Sequence, residues 1–188
     1  MAINTLYLDN GILKSASRIY SKQNPKNIRL DNFFQPAVFQ LLRKKLHNSK
    51  YKLKFHPYKC RYSTTKLSEI DSFLEGRYFD ELIKKILNIK KYKLKYEIRK
   101  FEPGNYTLLH DADKEIIGID FVVDFSALGK KCFGGYIAYL TETEELLQLN
   151  PSSNTLSFVD RKNGVMKYTK YFTHQNKNPI VQVAGTIF

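Results

Sequence analysis

The feature that most constrains this chain is a change of period near Tyr92. Downstream of it the apolar residues recur at every second position in short runs: KYKLKYEIRKFE, PGNYTLLHDAD, EIIGIDFVVDFS, GGYIAYLTE, TLSFVDRKN, GVMKYTKYFT and NPIVQVAGTIF. Period two between turn residues is the pattern of strands with two unlike faces. Asn163-Gly164 suits a two-residue hairpin turn, and the stretch from Asn176 to Pro179 closes another.

Upstream the period is helical. In DNFFQPAVFQLLRKKL, Pro36 suits a first turn, and Val38, Phe39, Leu41, Leu42 and Leu46 form an apolar stripe, which predicts a helix from Pro36 to His47. A second helix is expected from Ser68, a capping residue with Asp71 three positions on, with Phe79, Leu82, Ile83, Ile86 and Leu87 on one apolar face. Between them YKLKFHPYKCRYSTT alternates as a strand does. Residues 1–30 alternate only weakly, with Asn10-Gly11 and Asn24-Pro25 as turn candidates. Helices followed by strands predict an α+β fold, in which helices brace one sheet of a sandwich or jelly roll.

At 188 residues, 43% of them hydrophobic and 14% aromatic, the chain can bury a core and reads as a single domain. Residues 1–91 make a basic, helix-rich bracing part and residues 92–188 the strand-rich core. No run approaches the roughly 18 apolar residues needed to cross a bilayer, and the first 20 residues lack a secretory pattern, so a cytoplasmic location is expected. Cys60 and Cys132 stand far apart without a CxxC or Cys/His cluster and are expected as reduced, partly buried thiols.

The formal charge of +13 is unevenly spread: residues 1–100 hold 23 Lys and Arg against 8 Asp and Glu, and residues 101–188 hold 8 against 10. Such a field favours anionic partners, RNA or an acidic protein surface among them. A biased Lys-, Ile-, Asn- and Tyr-rich composition explains it equally well. Lys84, Lys85, Lys90, Lys91, Lys93 and Lys95 interleave with Tyr92 and Tyr96, a mixture that single-stranded or structured RNA can use, and that also suits a solvated helix face.

Several blocks in order carry a resemblance. Phe101, Gly104, Asn105, Tyr106 and His110 match an F-x-x-G-D-Y-x-x-x-H pattern; Gly134 and Gly135 precede YIAYL; Pro151, Asn154, Leu156 and Phe158 match P-x-x-N-x-L-x-x-F; and Pro179, Ile180, Val183 and Gly185 stand where P-R-x-x-x-x-G-W is usual. In this order the chain resembles the prolyl-hydroxylase-like branch of the Fe(II)/2-oxoglutarate oxygenases over most of its length. The resemblance implies a double-stranded β-helix (jelly-roll, cupin-like) braced by N-terminal helices. It also implies an iron site with Fe(II) and 2-oxoglutarate as cofactors if the protein is active.

That chemistry needs two His and one carboxylate around iron. The resemblance puts His110 in the first position, while an H-x-D spacing puts Ala112 where the carboxylate belongs. Asp111 points to the opposite face of a regular strand, and Asp113 reaches the metal only through a bulge. The second His position falls on Lys167 or Tyr168, which with Tyr106 become the cosubstrate-side candidates, and Ile180 stands in place of the basic residue that clamps 2-oxoglutarate. His174, the other histidine nearby, is about 20 Å along an extended chain from that position and reads as a turn residue. The leading expectation is a pseudoenzyme that acts in binding or scaffolding. The alternatives are an active prolyl-hydroxylase-type dioxygenase using His110, Asp113 or Asp111 and a further ligand such as His174, and a basic RNA- or ribosome-associated module.

Overall fold

The computed structural model describes residues 3–109, 116–127, 133–162 and 164–188. After a short 3-10 turn at Thr5–Leu8, helix α1 spans Asn10–Lys22. The Asp9 carboxylate accepts from the Ile12 backbone N–H at 2.9 Å and caps the helix, while Leu13, Ala16 and Tyr20 form its buried stripe. Asn10-Gly11, expected as a turn, is instead the first turn of this helix, because Asp9 supplies the capping acceptor. Strand β1 covers Asn27–Asp31, and α2, Pro36–Asn48, begins on its proline and buries Phe39, Leu42 and Leu46.

The YKLKFHPYKCRYSTT segment is a hairpin of two strands, β2 (Lys52–His56) and β3 (Cys60–Thr65). The second helical stretch is broken. It forms α3 (Ser68–Leu74), then α4 (Arg77–Leu82) running into a π-helical turn at Ile83–Leu87. Gly76, in extended conformation, is the N-cap of α4 and causes the break. Ser68 does not cap: Leu67 occupies the cap position, and the Ser68 hydroxyl donates to the Glu69 carboxylate at 3.2 Å.

The remaining strands are β4 (Leu94–Phe101), β5 (Tyr106–Thr107), β6 (Gly118–Asp124), β7 (Ile137–Leu140), β8 (Glu145–Leu149), β9 (Thr155–Arg161), β10 (Met166–Thr169) and β11 (Ile180–Ile187). They run in the order β1-β9-β6-β11-β4-β3-β5-β10-β7-β8, with β2 attached to β3. The pairings of these strands are antiparallel. Strand β3 turns the corner: its Ser63–Thr65 end pairs with β4, and its Cys60–Arg61 end pairs with β5. The sheet therefore curls back on itself as the expected double-stranded β-helix. Three strands of this sheet, β1 to β3, come from residues 1–91, so the change of period at Tyr92 is not a boundary of the sheet.

One face of the longer half packs against the helices. Ile98, Phe121, Val123, Leu156, Phe158, Val183 and Ile187 join Phe33, Phe34, Phe39, Phe73 and Phe79 in one apolar core. Rings meet edge-on in it, as Phe79 does Phe121 at 5.4 Å and Phe34 does Phe73 at 5.2 Å. Asn154 fastens this layer to the sheet: its side chain accepts from the Phe34 N–H at 2.8 Å and donates to the Phe34 carbonyl at 2.9 Å. Its positive φ of 56° aims the amide there, which gives a physical reason for an asparagine in the P-x-x-N block.

Candidate functional site

Because side chains alternate along a strand, the residues between those core positions face the inside of the curl. Strand β4 turns Lys95, Glu97 and Arg99 inward, β6 turns Asp120 and Val122, β9 turns Arg161, β10 turns Lys167, and β11 turns Ala184 and Thr186. With Lys54, Lys59, Cys60 and Tyr62 from the β2–β3 hairpin they line a cavity of about 550 Å³.

Two ionic clusters organise it. Asp120, 2% exposed, accepts from Lys167 Nζ at 2.8 Å and from Thr186 Oγ1 at 2.7 Å, and Arg161 Nε stands 3.3 Å from the same carboxylate. The Arg161 guanidinium also donates to the Ile116 carbonyl. On the same wall, two strands from Asp120, Glu97 accepts from Lys54 Nζ at 2.7 Å and from Tyr62 Oη at 2.8 Å, with Arg99 at 3.1 Å. Burial alone would raise the Glu97 carboxyl, but the Arg99 charge and the Lys54 and Tyr62 hydrogen bonds outweigh it and hold the group at about 2. The Tyr62 phenol is raised, chiefly by burial. The ring of Tyr62 takes Arg99 on its face at 5.1 Å and Lys54 at 5.4 Å. The wall thus carries Lys54, Lys59, Lys95, Arg99, Arg161 and Lys167 against Glu97 and Asp120. The excess is cationic.

Of the residues singled out from sequence, His110, Asp111, Ala112, Asp113 and Cys132 lie outside the described residues, as does Asn163. Lys167 and Tyr168 both line the cavity; burial pushes the Tyr168 phenol up. The Tyr106 hydroxyl reaches the Pro57 carbonyl at 3.5 Å, at the hairpin. His174 sits in the turn after β10, its ring 6.4 Å from that of Tyr171. Ile180 is fully buried and packs with Tyr62, Phe101 and Phe172. Gly135 makes room for it: at φ +73° a Cβ there would come within 2.2 Å of Ile180 Cδ1, which accounts for the second glycine of the Gly-Gly pair.

The lysine-tyrosine patch at the end of α4 is largely tied to its own helix. Lys84 bonds Asp80 at 2.7 Å, Lys85 lies 2.9 Å from Asn10 Oδ1 and 3.5 Å from Glu81, and the Tyr92 hydroxyl donates to Asp80 at 3.0 Å. Lys90 and Lys91 are exposed, and the backbone of exposed Lys93 exchanges hydrogen bonds with Phe188.

Asp120 and Arg161 were not singled out from sequence. The available signal was alternation: in GIDFVVD the two aspartates are four apart, hence on one face, opposite Phe121 and Val123. A carboxylate buried in a strand calls for a cation nearby, but only the fold reveals that Arg161 and Lys167 supply it.

Among the described residues no group of three or more His, Cys, Asp and Glu side chains is gathered as a metal requires. The resemblance assigns the second iron-binding histidine to Lys167 or Tyr168 and the 2-oxoglutarate clamp to Ile180, and neither Lys167 nor Ile180 fits its group. The Lys167 ammonium has no lone pair to give a metal and is bound to Asp120, and the Ile180 side chain has no hydrogen-bond donor and lies in an apolar cluster.

Comparison with known proteins places these features. Structures similar to this chain include a prolyl-4-hydroxylase from Pseudomonas putida (TM-score 0.67, 12% identity, 93% of this chain and 97% of that one). A prolyl hydroxylase from Trichoplax adhaerens, solved with a hypoxia inducible factor oxygen degradation domain peptide fragment, is also similar (TM-score 0.69, 11% identity, 97% and 93% covered). These share the fold. In sequence the chain is 32% identical over 83 residues to mouse prolyl 3-hydroxylase OGFOD1, covering 43% of this chain and 15% of that protein. The Xenopus laevis protein of the same name is 32% identical over 89 residues, covering 43% and 17%. The chain thus spans less than a fifth of the length of these relatives. Residues 56–187 match the family described as "Oxoglutarate and iron-dependent oxygenase degradation C-term", from the last residue of β2 to the end of β11. The chain therefore belongs to that family and carries its oxygenase fold.

Proposed function

We propose that this chain is a non-catalytic member of the oxygenase fold that acts in binding or scaffolding. The observation that carries the reading is Lys167. The resemblance puts the second iron-binding histidine at Lys167 or Tyr168, and the Lys167 ammonium is held 2.8 Å from Asp120, inside the cavity. A fixed cation there repels a divalent metal, since unit charges at such range interact strongly in a partly buried site. The burial of Ile180 among rings supports the same reading, because a bidentate clamp on a carboxylate requires a guanidinium or comparable donor set. The opposing reading, an active prolyl hydroxylase, is favoured by the names of the OGFOD1 relatives. It requires His110, Asp113 or Asp111 and a ligand such as His174 to converge on one metal.

Calorimetric titration with Mn(II), as an oxygen-stable substitute for Fe(II), and then with 2-oxoglutarate separates the two. The non-catalytic reading predicts no saturable binding of the pair up to about 1 mM of each. Micromolar binding of both that disappears in His110→Ala contradicts it.

A further inference from the structure

The β2–β3 hairpin presents an open sheet edge with a composition of its own. All five residues of β2 are exposed, and among the described residues β2 pairs with β3 alone. A strand paired on one side turns alternate N–H and C=O groups outward, a template for an added strand. The register sets Lys54 opposite Tyr62, and Lys54 Nζ reaches Glu97 in the cavity, so Lys52, Lys54 and His56 share the cavity-side face. Leu53 and Phe55 alternate with them, each 57% exposed, and Phe55 also borders the cavity. An edge strand guarded only against aggregation has no use for two such side chains.

We infer that β2 is a docking edge for an extended acidic segment of a partner protein, one that alternates carboxylate and apolar residues and adds to the sheet as a further strand. This rests on the binding reading above and names its partner class. Charge complementarity selects the occupant: carboxylates on one face of the added strand meet Lys52 and His56, which flank the Glu97-bound Lys54, beside the cationic cavity mouth at Lys59 and Lys95, while apolar residues on its other face cover Leu53 and Phe55. A second copy of this chain is disfavoured, because antiparallel β2–β2 pairing sets lysines opposite lysines and histidine. RNA could use the lysines and the rings of Phe55 and Tyr58, the latter 81% exposed, but it would leave the amide edge and Leu53 unused.

The test uses the whole chain and a labelled ten-residue peptide alternating glutamate and valine, with a lysine-valine peptide and a single-stranded oligouridylate as comparisons. Fluorescence anisotropy gives affinity, and hydrogen exchange reports the amides of residues 52–56. Saturable binding of the acidic peptide is expected, with slowed exchange in β2 and at least about tenfold weaker binding in Lys52→Glu and in Phe55→Glu, two exposed positions whose variants keep the fold. Failure of the acidic peptide to bind, binding without protection of β2, equal binding of the lysine peptide, or tighter binding of the oligouridylate each overturns the inference. The metal titration is independent of this result. Peptide docking together with iron and 2-oxoglutarate binding would leave the edge in place and remove only the non-catalytic reading.

Discussion

Strand β6 has one backbone and two chemistries. On its helix side Phe121 and Val123 enter an apolar core closed by Phe79 and Phe158; on its inner side Asp120 is held by Lys167, Thr186 and Arg161. Strand β4 repeats the contrast, with Ile98 in the core and Glu97 and Arg99 in the cavity. The helix side gains from burial alone, which is non-directional and tolerant of exchange among apolar residues. The inner side depends on particular pairings, each of which becomes a liability when one partner is lost. A fold can keep the first and rebuild the second.

Breaking the helix side should do most harm. Phe158→Ala removes a fully buried ring and is expected to destabilise by about 3–5 kcal/mol, read from chemical denaturation. On the inner side Asp120→Ala leaves Arg161, 2% exposed, without its carboxylate, and about 3 kcal/mol is expected from the same experiment. Combining Asp120→Leu with Arg161→Met and Lys167→Met should recover most of that loss, since apolar side chains then replace the whole ionic cluster; a triple variant no more stable than Asp120→Ala would contradict the pairing account.

Glu97→Gln is milder, about 1–2 kcal/mol near neutral pH, because the side chain is 32% exposed and solvent screens it. Its sign in acid is fixed. The folded carboxyl is depressed to about 2, so its stabilisation is fully present above the ordinary carboxylate range and is lost as pH falls from roughly 4 toward 2. Urea midpoints of the parent should fall across that interval, and those of Glu97→Gln should fall less. The smallest effect belongs to the surface: Lys84→Ala, breaking an exposed pair with Asp80, should change stability by no more than about 0.5 kcal/mol.

Much of the sheet was legible because period two survives in short runs, and the α2 helix because Pro36 and a clear stripe mark it. Helix α1 was not, since its buried stripe is only Leu13, Ala16 and Tyr20 and Gly11 reads as a turn until Asp9 is seen to cap it. The break at Gly76 did leave a signal: at roughly 3.6 residues per turn, Ile70, Phe73 and Leu74 lie about half a turn round a continuous helix from Phe79, Leu82, Ile83 and Ile86. In the cavity, sequence spacing led to Lys167 but could not supply its partner. Asp120 lies 47 positions away, and only the curl of the sheet brings the two together.

The most direct test of the account is the thermal midpoint of the whole chain with and without Mn(II) and 2-oxoglutarate at about 1 mM each. A native-state ligand pair with micromolar affinity would add roughly 4 kcal/mol and raise the midpoint by several degrees. An unchanged midpoint is predicted, in the parent and in His110→Ala alike. A rise of several degrees that needs both ligands and vanishes in His110→Ala would contradict the account.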